Sequence, residues 1–144
     1  MELRRVETVE QIATDLEAIK RLQDTFLNDL RRQGYDADTT SALALGFSEA
    51  VANAYHHGNR GDPSKRITVC YRFDRCRAEL EVSDQGEGFD PNDLPDATSD
   101  DALARPSGRG VLLMRSLFDE VRYLRGGRAV YLAKQVPTVQ ACAA

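Results

Sequence analysis

No stretch of this 144-residue chain approaches the roughly 20 consecutive apolar residues that a membrane-spanning helix requires. The opening residues, Met1-Glu2-Leu3-Arg4-Arg5, lead into no apolar segment either, so no secretory leader is expected. Cysteine is scarce. Cys70, Cys76 and Cys142 are odd in number and lack metal-ligand spacing, so neither a disulfide framework nor a zinc site is expected, and the cytoplasm is the default location. An excess of basic charge is also missing: 19 Lys and Arg face 23 Asp and Glu, for a net charge of −4. Wrapping nucleic acid needs clustered positive charge, so direct nucleic-acid binding is not expected. There is no internal repeat and no low-complexity tract.

What is present is the balance of a globular chain, with 42% hydrophobic and 29% charged residues. The length suits one domain with a real core, expected over residues 1–136, with a loose tail over 137–144. Leu3 to Val6 reads as a short strand. Thr8 and Gln11 read as a capping box that opens a helix. Ile12, Leu16, Ile19, Leu22, Phe26 and Leu30 then form one apolar stripe, and the helix is expected to stop near Gly34. A second helix is expected from Asp38 or Thr39 to about His57, ended by the turn-rich Gly58-Asn59-Arg60-Gly61-Asp62-Pro63. Ile67, Val69, Tyr71 and Phe73 alternate with polar residues as in a strand. Asp74-Arg75 turns the chain into a second strand through Leu80 and Val82. Residues 86–108 form a long loop rich in Gly, Pro, Asp and Ser, a length usually associated with function. A third helix is expected from Gly110 to about Phe118, and a closing hairpin turns at Gly126-Gly127. The order predicts an α+β protein: a two-layer α/β sandwich with a largely antiparallel mixed sheet covered on one face by three helices.

Three short motifs carry chemistry. In the first, Glu49, Asn53 and His57 follow one another at four-residue steps on a helix otherwise rich in Ala and Val, with neighbours about 6 Å apart. A carboxylate and a carboxamide there suit magnesium, which keeps waters and takes phosphate oxygens. A Glu one turn from such a ligand can polarise a hydroxyl beside a phosphate. The same stripe also fits a solvated helix face. In the second, Asp84-Gln85-Gly86-Glu87-Gly88 follows a strand. Its carboxylate can accept from an exocyclic amine and its glycines admit a close or left-handed backbone, but the pattern is common in plain turns. In the third, Ser107-Gly108-Arg109-Gly110 opens a helix whose free amides and positive dipole end suit phosphate, with Arg105 adding charge. A flexible helix start fits equally. Neither the dinucleotide fingerprint nor the Gly-x-x-x-x-Gly-Lys phosphate loop is present.

Taken together and in this order, the motifs resemble the GHKL nucleotide-binding superfamily of gyrases, ninety-kilodalton heat-shock chaperones, histidine kinases and mismatch-repair proteins. Glu49-x-x-x-Asn53 with His57-Gly58-Asn59, then Asp84-x-Gly86-x-Gly88, then Gly108-x-Gly110 match its three boxes. Ser48-Glu49-Ala50-Val51-x-Asn53-Ala54 and Ser107-Gly108-x-Gly110 are most similar to the small bacterial anti-sigma factor serine kinases. That resemblance implies ATP and Mg²⁺ as cofactors, with Asn53 as the magnesium ligand and Glu49 as the base. It implies that Asp84 binds adenine, that Gly86 and Gly88 shape the pocket, and that Arg105, Ser107, Gly108 and Gly110 form a lid over the phosphates, with His57 in the same site. It further implies a homodimer, a sigma factor as bound partner and an antagonist protein phosphorylated on serine. The alternative is a non-catalytic, ATP-gated protein-binding module. The detached half of a histidine kinase is disfavoured because the only histidines are His56 and His57, both inside the proposed site.

Overall fold

A computed structural model describes residues 5–88 and 108–137. Strand β1 (Val6–Ala13) is followed by helices α1 (Leu16–Arg32) and α2 (Ala37–Asn53) and a single π-helical turn, Ala54–Gly58. Strands β2 (Arg66–Phe73) and β3 (Arg77–Ser83) come next. Helix α3 (Gly108–Leu117) and strands β4 (Glu120–Leu124) and β5 (Ala129–Gln135) complete the order, with a short 3₁₀ turn, Arg125–Gly127, between the last two. The five strands lie in the order β1-β2-β3-β5-β4. All four ladders among the described strands are antiparallel, so the expected mixed component is not seen there.

The first helix starts later than the sequence suggests. Residues 6–13 pair with β2 along their whole length, from Val6 opposite Phe73 to Ala13 opposite Arg66. Thr8 and Gln11 therefore sit on a strand, and the helix is capped instead by Asp15, whose Oδ2 accepts from the Ala18 amide at 3.1 Å. Ile12, one step ahead of Leu16, mimics helix spacing while lying on the strand. Leu16 itself is 62% exposed, so the stripe meets the core at Ile12 from the strand and again from Ile19 onward on the helix. Helix α1 ends where expected, with Gly34 in the left-handed region at φ +70°. Asp36 caps α2 by accepting from Thr39 N–H at 3.1 Å.

The strand alternation is as read. Ile67, Val69, Tyr71, Phe73, Ala78, Leu80 and Val82 are buried beneath the helices, against Leu22, Phe26, Leu30, Leu43 and Phe47. Phe26 lies at the centre, stacked on Phe47 with ring centroids 4.4 Å apart and edge-on to Tyr71 at 5.1 Å. The opposite face of the sheet is polar. Arg72 pairs with Glu79 at 2.6 Å, Arg77 bridges Glu79 and Glu120, and Arg122 also meets Glu120. One face thus takes the helices and the other faces water, the usual outcome for an antiparallel sheet. Helix α3 packs on α2 and delivers the chain to the outermost strand, β4. The return strand β5 then fills the gap beside β3, with Val82 opposite Val130. Of the described cysteines, Cys70 is free and Cys76 is disulfide-bonded, a pairing not expected from the sequence. No described helix is long and apolar enough to cross a membrane.

Candidate nucleotide site

The C-terminal half of α2 packs Ala50 and Val51 into the core, followed by Ala54 of the π turn, which leaves Glu49 and Asn53 half-buried at its margin. The expected α-helix does not run unbroken to His57. From Ala54 the chain widens into the π turn, so the four-residue step from Asn53 to His57 is not an α-helical one. Such single π turns inside helices recur at functional sites. The turn closes with Asn59 N–H donating to Ala54 O at 2.8 Å.

Asn59 then fastens three segments together. It is fully buried, and its Nδ2 donates to Thr14 Oγ1 at 2.8 Å and to Arg66 O at 2.9 Å. Its Oδ1 accepts from Gln85 N–H at 2.8 Å. Gln85 returns the tie, accepting from Arg66 N–H at 2.6 Å. The second motif is therefore bolted to the first through an asparagine and to the start of β2 through a glutamine. Between them Asp84 sits against the backbone: its Oδ1 accepts from Gly86 N–H at 2.8 Å. A Cβ placed on Gly58 would overlap the Asp84 carboxyl, and one placed on Gly86 would overlap the Gly58 carbonyl. Both positions need glycine because the chain segments touch.

A cavity of about 680 Å³ opens beside this junction. Asn53, His57, Asp84 and Gly88 line it, together with Ala54, Val82, Met114 and Val130, which give it apolar walls. Gly58 is also a wall residue, and Gly86 stands directly behind it. Glu49 lies one turn before Asn53 and is not among the described residues that line the cavity. Gly108 and Gly110 open α3, which sends Met114 into the cavity; Gly110 is itself buried. Arg105 and Ser107 lie outside the described residues, as does the expected tail beyond Pro137.

The charges in the cavity are perturbed in a consistent way. Burial pushes the Asp84 carboxyl above its usual range, opposed by the Gly86 amide and by the charges of Arg128 and Lys65. Burial, with His56 beside it, lowers the His57 imidazole and favours its neutral form. A half-buried carboxylate with one oxygen engaged by Gly86 N–H, and the other without a donor among the described residues, is suited to a donor such as an exocyclic amine. No cluster of three or more His, Cys, Asp or Glu that could hold a metal occurs among the described residues. The described donors fit magnesium, which binds through one or two protein oxygens plus waters and substrate phosphates. Asn53 in the cavity wall, with Glu49 a turn away, supplies such oxygens.

Several wall residues escaped the sequence reading. Arg60 and Gly61 enter from the turn after α2, and Tyr123, Gly127 and Arg128 from the β4–β5 hairpin. The only hint was backbone: Arg60, Gly61, Arg125, Gly126 and Gly127 all have positive φ, and Gly-rich turns had suggested that much and no more.

The sequence profile of the histidine kinase-like ATPase domain matches residues 12–134. A serine-protein kinase RsbW of Bacillus licheniformis is 33% identical over 99 residues, which cover 63% of this chain and 61% of that protein. The RsbW of Listeria monocytogenes is 30% identical over 112 residues, covering 73% and 71%. A crystal structure of the RsbU and RsbW domains of a Mycobacterium tuberculosis protein superposes with a TM-score of 0.61 at 16% identity. It covers 91% of this chain and 31% of the other, and at that identity it speaks to the fold alone. The match to the first of these kinases thus spans less than two thirds of that protein's length. With a profile that takes in most of the chain and a fold that agrees, the chain belongs to the histidine kinase-like ATPase domain family.

Proposed function

We propose that the chain is an ATP- and magnesium-dependent serine protein kinase that sequesters a sigma factor and phosphorylates a serine on an antagonist protein. The observation that carries this reading is a cavity walled by Asn53, His57, Asp84 and Gly88 together in a chain of this family. In this reading Asp84 Oδ2 accepts from the amine of adenine, because Oδ1 is engaged by Gly86. Asn53 offers its amide oxygen to magnesium, which when bound neutralises phosphate charge. Gly108 and Gly110 at the start of α3, with Arg105 and Ser107 ahead of them, meet the phosphates. Glu49 accepts the proton of the partner's serine. The serine oxygen bonds to the γ-phosphorus, the bond to the β–γ bridging oxygen breaks, and ADP leaves. Such transfer asks mainly for positioning and charge neutralisation from the protein. A cytoplasmic homodimer belongs to the same proposal.

Glu49→Ala is expected to abolish transfer of labelled phosphate to a partner serine while ATP binding persists. Transfer that continues at the original rate would remove Glu49 from the role of base. The position of Glu49 outside the cavity wall favours a second reading, in which ATP gates a partner-binding surface without transfer. Labelled ATP separates the two, since a gated module retains its partner unlabelled.

A further inference from the structure

We propose that Arg128 reads the base in this cavity, its guanidinium donating to a purine ring nitrogen while Asp84 holds the exocyclic amine. The inference rests on the nucleotide reading above and deepens it.

Arg128 stands between the 3₁₀ turn and β5, and its side chain spans two walls. Nε donates to the Gly86 carbonyl at 2.8 Å, and Nη1 donates to the Arg125 carbonyl at 3.3 Å. Those acceptors belong to the two loops that frame this end of the cavity. The loops also touch each other, because a Cβ on Gly88 would overlap the Gly126 carbonyl. A planar group with five donors is thereby held at two of them, and the others meet no acceptor among the described residues. Arg128 lines the cavity as Asp84 does. Its charge is near enough to favour the Asp84 carboxylate, yet the two form no direct ion pair among the described residues.

An acceptor and a donor set side by side, but not joined, complement an edge that presents a donor beside an acceptor. Adenine has two such edges, with its amine flanked by N1 on one side and N7 on the other. Guanine places the acceptor O6 where adenine carries the amine, opposite the Asp84 carboxylate. Guanine can meet the same pair only in a shifted pose, with N1–H on Asp84 and O6 on Arg128, so the adenine pose is the one in which the amine itself sits on Asp84.

The test is calorimetric titration of the full chain and of Arg128→Ala and Arg128→Lys with ATP, 1-deaza-ATP, 7-deaza-ATP and GTP, all with magnesium. A hydrogen bond from a charged donor corresponds to roughly tenfold or more in affinity. The wild type is expected to bind one of the two deaza analogues about that much more weakly than ATP, and GTP also more weakly. Arg128→Ala is expected to lose the same factor for ATP and to stop distinguishing that analogue from ATP. If Arg128→Ala does not fold, Arg128→Lys carries the comparison, since a lysine cannot hold both carbonyls and the base. Equal weakening of ATP and both analogues would mean that Arg128 only braces the loops, and would overturn the proposal. A wild type that binds no ATP would instead remove the nucleotide reading on which the proposal stands.

Discussion

Asp84 is held in a conflict that a ligand can resolve. Burial raises its carboxyl above the ordinary range, and the Gly86 amide and the Arg128 and Lys65 charges only partly oppose this. A carboxyl raised in the folded state favours folding below its unfolded value and loses that contribution as pH rises through the raised one. Asp84→Asn keeps an oxygen for Gly86 N–H and has no charge to bury. Without nucleotide, its stability relative to wild type is therefore expected to improve as pH rises from about 3.8 and to level off once pH has passed the raised value. Denaturant titrations across that range measure this. The same substitution replaces the acceptor facing the cavity with an ambiguous amide, so ATP affinity is expected to fall by roughly tenfold or more. A residue that costs stability while it serves binding is the common pattern at functional sites. Asn59 makes the opposite case. It is not among the described residues that line the cavity, yet Asn59→Ala would remove the partner of Gln85 N–H and the donor to Thr14 Oγ1 and Arg66 O, leaving Thr14 only its bond to the Lys65 carbonyl. We expect a loss of roughly 1–3 kcal/mol and faster amide exchange at Gln85. Unchanged exchange there would show that the clasp does not hold the loop.

Elements differ in how far their residues announce them. The β2–β3 and β4–β5 hairpins were legible because alternation and turn residues coincide, and Asp74 secures the first turn by accepting from Cys76 and Arg77 amides at 2.8 Å. The start of α1 was not. Thr8, Gln11 and Ile12 satisfy helix spacing, and only the partner strand, some sixty residues later in the chain, decides that they are extended. The π turn was equally hidden, since nothing in Ala54-Tyr55-His56-His57-Gly58 distinguishes it from an α-helix. Local motifs gave Asn53, His57, Asp84 and Gly88 because each lies on a short contiguous pattern. Arg128 and Tyr123 come from the distant hairpin, and their place in the wall depends on β5 lying beside β3. Helix α2 shows how packing overrides propensity. A Cβ on Gly46 would lie 2.5 Å from Phe118 Cζ, and Phe118 is itself buried. Alanine favours a helix over glycine by about 1 kcal/mol, but overpacking typically costs about 1–3 kcal/mol. Gly46→Ala is therefore expected to destabilise in a thermal melt, and adding Phe118→Leu to restore part of the loss. A stabilised single variant would mean that α3 and its following turn yield more easily than a packed core should.

At the scale of the whole molecule, the architecture separates support from chemistry. The sheet gives one face to the aromatic core around Phe26, with Val82 and Val130 at the floor of the cavity, and leaves the other to paired charges. The site forms where the end of α2, the loop after β3 and the β4–β5 turn converge, held by Asn59 and by the glycine contacts. Loops supported in this way on a rigid scaffold are the usual seat of binding. In the proposed nucleotide reading, the described residues supply one wall around the phosphates and the Asp84 side of the base end. The central claim is that this cavity takes Mg-ATP, and calorimetric titration of wild type and Asn53→Ala tests it most directly. The account predicts saturable binding to the wild type, weakened by tenfold or so in Asn53→Ala only when magnesium is present, with a matching loss of the nucleotide-induced rise in melting temperature. No binding to the wild type, or equal binding by both proteins with and without magnesium, would contradict it.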